Sequence, residues 1–311
     1  MSQQAVVELK HVTKKIRSKT IIDNISFNVF SGEVFGFLGP NGAGKTTTIR
    51  MIVGLMKVSS GDIIVNGKSV KNDFEGAVQH VGAIVENPEM YKFMSGYKNL
   101  IHYSRMYKGI SKEKIDEVVK LVGLEKRIND KVKTYSLGMR QRLGIAQSLL
   151  HDPKVLILDE PTNGLDPAGI REIRDYIRRL ARERDMAVIV SSHLLSEMEM
   201  MCDRIGIIQN GKLKDVQLIE DFVGNQSHVY KIEVSNAVEI ADRLRQAFPA
   251  FEIRLVQEDL LINCKKEDIP AIIKWCVEEG LSVFGAAKAA KSLEDRFLEV
   301  TSEQKEEPVN V

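Results

Sequence analysis

GPNGAGKTT, Gly39 to Thr47, follows the apolar run VFGFL and precedes a helical stretch. The segment fits GxxxxGK[ST] in the strand, loop, helix context that a phosphate-binding loop needs. Its glycines let backbone N–H groups converge on phosphate oxygens, and the following helix turns the positive end of its dipole to the same point. The candidate nucleotide cradle is therefore Gly39, Pro40, Asn41, Gly42, Ala43, Gly44, Lys45, Thr46 and Thr47. Lys45 is suited to the β and γ phosphates of a nucleoside triphosphate, and Thr46 offers a hydroxyl to Mg²⁺.

Downstream, KVLILDEP (Lys154 to Pro161) is an apolar strand that ends in two acids. This puts Asp159 and Glu160 at the carboxyl edge of a sheet, where α/β proteins hold their ligands. Asp159 is placed to hold Mg²⁺ and Glu160 to take a proton from an attacking water. An isolated acid at a strand end is commonly a helix cap; its order behind a phosphate loop favours the catalytic reading. YSLGMRQRLGIAQSLL begins at Tyr135 and opens a long helix, with Ser136 placed 23 residues before Asp159. Ser136 is a natural N-cap, and a serine and glycine (Gly138) at a helix start also suit an anion.

Around these segments, Val6 to about Phe222 alternates β-branched runs with helical patterns, which predicts an α/β domain with a largely buried parallel sheet. The expected strands are Ile21–Val29, Val34–Leu38, Ile63–Val65, Val81–Val85, Val155–Leu158, Ala187–Val190 and Ile205–Ile208. From Met94 to Leu150 the pattern is helical, an inserted subdomain with Leu100, Ile101, Val118, Leu121 and Val122 as its expected core. A polar break, GNQSH (Gly224 to His228), separates a small C-terminal α+β domain, residues 224–303, from the domain that carries the phosphate loop, residues 1–223. The small domain reads β-α-β-β-α-β with a last helix at Leu293–Val300, and the charged tail at 304–311 is expected to be disordered.

With 44 basic and 43 acidic residues in 311, the net charge is +1, so no general polyanion-binding field exists and no nucleic acid partner is expected. Cys202, Cys264 and Cys276 form no CxxC pair and read as buried thiols of a reducing compartment. MSQQAVVELK carries a glutamate and a lysine where a secretory signal needs an apolar stretch, so export is not expected. The longest apolar runs are strand-sized, well below the ~20 residues of a membrane span.

GPNGAGKTT, YSLGMRQR, LILDEP, NGLDP and SSH, in this order and spacing, make the chain resemble the ATP-binding subunit of an ABC transporter over Val6 to about Phe222. The resemblance implies a P-loop NTPase fold of the ABC type, and ATP and Mg²⁺ as ligands. It also implies a peripheral place on the cytoplasmic face of the cell membrane. Tyr135 to Met139, including Ser136, Gly138 and Met139, becomes the signature that covers the γ-phosphate held by a second ATP-binding subunit. Asn163 to Asp166 becomes the loop that passes information between the two sites, and His193 the switch histidine that contacts the γ-phosphate. A separate transmembrane permease is the implied partner.

Three positions depart from the family pattern. Leu137 replaces a signature glycine, Ile16 stands where an aromatic normally stacks on adenine, and Glu86 stands where the family has a loop glutamine. Glu86, with NPEMY behind it, resembles the bacitracin and lantibiotic self-protection branch and adds a candidate oxygen ligand for the metal. Tyr91, Phe93 and Met94 follow it as candidates for receiving a helix of the membrane partner. Rival members of the family, the DNA-repair and ribosome-acting ATPases, would need a heptad-rich insertion or a second phosphate loop, and neither is in the sequence.

Overall fold

The computed structural model of the chain describes residues 5–224, 229–256 and 259–288. The chain divides into two compact units, Met1–Ile219 and Glu220–Val311. The last helix expected at Leu293–Val300, the charged tail and most of the polar break at Gly224–His228 lie outside the described residues.

In chain order the first unit runs β1 (Ala5–Ile16), β2 (Lys19–Phe30), β3 (Val34–Leu38), α1 (Lys45–Ile52), β4 (Ser60–Val65), β5 (Lys68–Ser69), α2 (Phe74–Val78), β6 (Val81–Ile84), α3 (Gly96–Ser104), α4 (Lys112–Leu121), α5 (Leu137–Ser148), β7 (Val155–Asp159), α6 (Pro167–Arg184), β8 (Ala187–Ser192), α7 (Leu195–Met201), β9 (Arg204–Gln209) and β10 (Lys212–Leu218). A short helix, α8 (Ile219–Gly224), leads into the second unit.

The central sheet has the order β10-β9-β3-β8-β7-β6, with β9, β3, β8, β7 and β6 parallel and β10 antiparallel at one edge. Every residue of β3, β7 and β8 is buried, which is why these strands read as unbroken apolar runs: parallel strands are covered by helices on both faces. Each buried aliphatic side chain there contributes roughly 1.5–3 kcal/mol relative to exposure.

The expectation of one parallel sheet needs correction. The strands read at Ile21–Val29 and Ile63–Val65 belong to a second, antiparallel sheet of order β2-β1-β4-β5. Alternation of buried and exposed residues along β2 (Ile25, Phe27 and Val29 in, Ser26 and Asn28 out) marks a sheet with one wet face. The two sheets share one core, in which Phe27 stacks on Phe35 with centroids 5.1 Å apart.

The Met94–Leu150 segment contains α3, α4 and α5, each started by a serine, Ser95, Ser111 and Ser136, whose hydroxyl accepts a backbone N–H of the first turn. Leu100, Val118 and Val122 are buried there, whereas Ile101 and Leu121 are only half-buried.

The second unit contains β11 (Val229–Val234), α9 (Ala237–Ala247), β12 (Glu252–Val256), β13 (Asp259–Asn263), α10 (Ile269–Glu278) and β14 (Val283–Lys288). Its antiparallel sheet has the order β12-β13-β11-β14, the split β-α-β arrangement of ferredoxin-like folds. Ile232, Leu244, Leu260, Ile262, Ile272 and Cys276 form its core, with Trp275 packed at the margin. All three cysteines are reduced and buried. Among the described residues no helix is long and apolar enough to cross a membrane.

Candidate active site

The phosphate loop connects β3 to α1, and backbone space fixes its glycines. A Cβ on Gly39 would come within 2.3 Å of the Ile208 carbonyl oxygen, and one on Gly44 within 2.4 Å of Ile22 Cδ1. Gly44 also has φ +116°, a left-handed conformation that favours glycine, and it turns the chain into α1. Lys45, buried, donates to the carbonyl oxygens of Gly39 at 2.6 Å and Pro40 at 3.3 Å, so its ammonium sits inside the loop. Burial pushes the Lys45 amine below its ordinary value, against the opposing pull of Glu160 and Asp159.

Asp159 ends β7 and is buried, with Oδ1 accepting from Ser191 Oγ of β8. The same hydroxyl accepts from the Glu160 backbone N–H at 3.1 Å. Ser191 thus holds the backbone of Glu160, which has φ +50°, a conformation a non-glycine residue adopts only where its surroundings hold it. Glu160 Oε1 lies 3.3 Å from His193 Nδ1 and Oε2 accepts from Asn163 Nδ2 at 3.5 Å. Adjacent parallel strands therefore bring Asp159, Glu160, Ser191 and His193 together.

Ser136 is exposed and caps α5, accepting from the Met139 N–H at 3.2 Å, while Gly138 and Met139 form the first turn. A Cβ on Gly164 would lie 3.1 Å from Leu137, and one on Gly138 would lie 3.7 Å from Leu165. The signature start and the Asn163–Asp166 loop are thus neighbours. Asp166 in turn caps α6, accepting from the Gly169 N–H at 3.0 Å.

Ile16 is 45% exposed at the end of β1. The Glu86 carboxylate is paired with Arg50 of α1; the glutamate side chain is 64% exposed and its backbone has φ +66°. Tyr91 and Phe93 are exposed, the latter at 68%, and their rings meet edge to face at 5.9 Å. Asn99, fully buried, holds this segment by accepting from the Tyr91 N–H at 2.8 Å and donating to the Tyr91 carbonyl at 3.2 Å.

Ser191 and Arg50 are not among the site residues expected from the sequence. Ser191 carried a signal, a hydroxyl at the end of the otherwise apolar AVIVSS. Arg50 carried none, because its partner is 36 residues away.

A nucleoside triphosphate with Mg²⁺ fits these residues. The loop leaves no room for a Cβ at two glycines, an ammonium is held inside it, and Thr46 and Asp159 offer the hydroxyl and carboxylate oxygens that hard cations prefer.

The family model described as ABC transporter matches residues 22–163. An uncharacterized ABC transporter ATP-binding protein of Bacillus subtilis (strain 168), YhcH, is 60% identical over 98% of each chain. The bacitracin transport ATP-binding protein BcrA of Bacillus licheniformis is 37% identical over 95% of this chain and 97% of its own. Among solved structures, one titled as an ATP binding subunit of an ABC transporter superposes with a TM-score of 0.63 at 28% identity, covering 70% of this chain and 91% of that one. With its phosphate loop, paired acids and His193 assembled on one sheet edge, the chain belongs to the ATP-binding subunits of ABC transporters and is an ATPase.

Proposed function

We propose that two ATP-binding subunits, this chain and a second copy or homologue, enclose Mg·ATP between them, and that their closing and opening drives a separate membrane permease that expels an amphiphilic antimicrobial peptide. The observation that carries the ATPase part is the contact of Glu160 with His193 beside the Asp159–Ser191 pair.

Lys45 transfers its ammonium from the Gly39 and Pro40 carbonyls to phosphate oxygens, a charge-assisted contact in a site drier than bulk water. Thr46 and Asp159 would hold Mg²⁺, which when bound supplies charge neutralisation to the transferring phosphate. Glu160 accepts a proton from the attacking water, and His193 and Asn163 fix the orientation of its carboxylate. Ser136, exposed at the start of α5, presents its hydroxyl and the helix N-terminus to the nucleotide of the second subunit. Glu86 has two alternatives, Arg50 or the metal, and exchange between them would link the site to the neighbouring Tyr91 and Phe93. Those two exposed aromatic rings, with Met94, are the proposed seat of the permease, which would keep the subunit at the cytoplasmic face of the membrane. The nature of the cargo rests on the likeness to the bacitracin transport protein.

The test is co-expression with the cognate membrane protein in bacitracin-sensitive cells. Wild type should raise the inhibitory concentration and Glu160→Gln should not, while Phe93→Glu should lose membrane association yet retain ATP binding. Equal sensitivity with and without the wild-type pair would remove bacitracin-like cargo from the proposal.

A further inference from the structure

A second contact, between Thr162 and Glu197, joins the same two loops. Thr162 follows Glu160 by two residues and starts the Asn163–Asp166 loop; Glu197 lies in the first turn of α7, directly after the His193 segment. Both are buried, at 4% and 7% exposure, and Thr162 Oγ1 donates to Glu197 Oε2. A carboxylate in such a place is costly unless a donor meets it, so the pair has a larger part in holding the loops than a surface hydrogen bond has.

The chain here forms a closed circuit. Glu160 meets His193 at 3.3 Å, His193 leads through Leu194 into α7, Glu197 accepts from Thr162, and the backbone returns to Glu160, with the Asn163 N–H donating to the Glu160 carbonyl at 3.2 Å. The Leu165 N–H donates to the Thr162 carbonyl at 3.1 Å, so the turn that carries Gly164 past Leu137 is anchored on Thr162. With Ser191 holding the Glu160 N–H, the general base is fixed on its backbone side, and the Thr162–Glu197 bond fixes how far the His193 segment can draw away from it.

We infer that Thr162 and Glu197 are positioning residues that fasten the His193 segment to the Glu160 turn, so that their hydrogen bond sets the rate of hydrolysis without setting nucleotide affinity. This rests on the ATPase reading above, since it acts through Glu160 and His193. Loss of the bond lets both side chains sample orientations in which the base is misdirected, and a small misplacement of a catalytic group lowers the chemical step by orders of magnitude.

The experiment compares full-length wild type, Thr162→Ser, Thr162→Val and Glu197→Met, each with its Tm, its ATP Kd, and its kcat and KM for Mg·ATP. Thr162→Val has nearly the same volume but no donor, and kcat should fall about tenfold or more with KM and Kd changed less than about twofold. Thr162→Ser keeps the hydroxyl and should restore kcat to within about threefold. Glu197→Met removes the buried carboxylate and leaves only a hydroxyl without its partner; it should reproduce the Thr162→Val loss and supplies the answer if Thr162→Val fails to fold. A lowered Tm with unchanged kcat per folded chain in Glu197→Met or Thr162→Val would overturn the inference, as would equal losses in Thr162→Ser and Thr162→Val. A wild-type chain that neither binds nor hydrolyses ATP would instead break the ATPase reading and leave these variants nothing to modulate.

Discussion

The two units solve sheet burial differently, and only one solution collects chemistry. In the first unit β3, β8 and β7 lie side by side and run parallel, with Leu38 opposite Ser192 and Asp159 opposite Ser191. Their carboxyl ends therefore fall on a single edge. From that edge emerge the phosphate loop after β3, Asp159 and Glu160 after β7, and Ser191 and His193 at the end of β8. Among the described residues of the second unit each strand runs opposite to its neighbour, so successive ends alternate between edges and no edge there gathers three adjacent loops of the same sense. Charge is instead spent across the ladder, where Lys231 pairs with Glu233 at 3.0 Å and with Asp259 at 2.8 Å on the adjoining strand.

The largest effects that could break this contrast concern hydrolysis. Glu160→Gln keeps the shape of the side chain but removes the proton acceptor, and kcat should fall about 10²–10⁴-fold while ATP is retained. Lys45→Ala should lose phosphate binding itself, because it deletes the ammonium held inside the loop. With Mg·ATP, Glu160→Gln should accumulate dimer in sedimentation and Lys45→Ala should stay monomeric, since a ligand bound by the closed pair alone stabilises it by mass action. Equal monomer fractions would count against the shared site. Lys231→Ala, on the terminal ladder, should leave hydrolysis unchanged.

Next in size are the cores. Ile157→Ala on β7 and Ile262→Ala on β13 each delete a fully buried side chain and should cost about 2–5 kcal/mol in their own units. Calorimetry should resolve two transitions, each variant lowering one of them, with ATPase activity at 20 °C following the Ile157 variant alone. If Ile262→Ala lowered both transitions together and abolished activity, the second unit would be required for the fold of the first, and the contrast between them would lose its meaning.

How much the sequence disclosed divides along similar lines. The phosphate loop, the paired acids and the cap of α5 were legible because the determining contacts are local: a glycine spacing, a strand running into two carboxylates, a serine three residues from the N–H it accepts. Strands β1, between β2 and β4, and β10, at the edge of the parallel sheet, have no counterpart among the expected strands. Along β1, KHVTKKI is half charged, with Lys10, His11 and Ile16 exposed, and β10 is only partly buried throughout, so neither offers a clean period. The assignment of Ile21–Val29 to a parallel sheet failed for a related reason, since an apolar alternating run states that one face is buried and not which strand lies beside it. At the site, the partners are long-range. Ser191 meets Asp159 across 32 positions, Thr162 meets Glu197 across 35 and Arg50 meets Glu86 across 36, and no spacing rule within one chain anticipates such pairs.

The smallest expected effect tests the join between the helical segment and the edge of the parallel sheet. His151 follows α5, stacks on Tyr107 at 4.4 Å with ring planes 3° apart, and its Nε2 lies 3.1 Å from the Val81 carbonyl, so Nε2 carries the proton and donates. Its Nδ1 is buried and meets no hydrogen-bond partner among the described residues. Burial holds the imidazole below its ordinary value; the Val81 carbonyl and Asp152 oppose this and His80 adds to it. Because the native state takes up this proton less readily than the unfolded chain, the unfolded chain binds more protons as pH falls through about 6.5. The contribution is therefore full above that pH and is lost as pH falls toward the lowered native value. His151→Phe keeps the stack on Tyr107 and cannot titrate, so the wild-type Tm should fall more steeply than the variant's between pH 7 and pH 5, although the variant starts lower for want of the Val81 hydrogen bond. Parallel curves over that interval would mean that the imidazole finds a partner for its second proton on charging, and the edge of the sheet would then be open to water where the structure packs it against Tyr107.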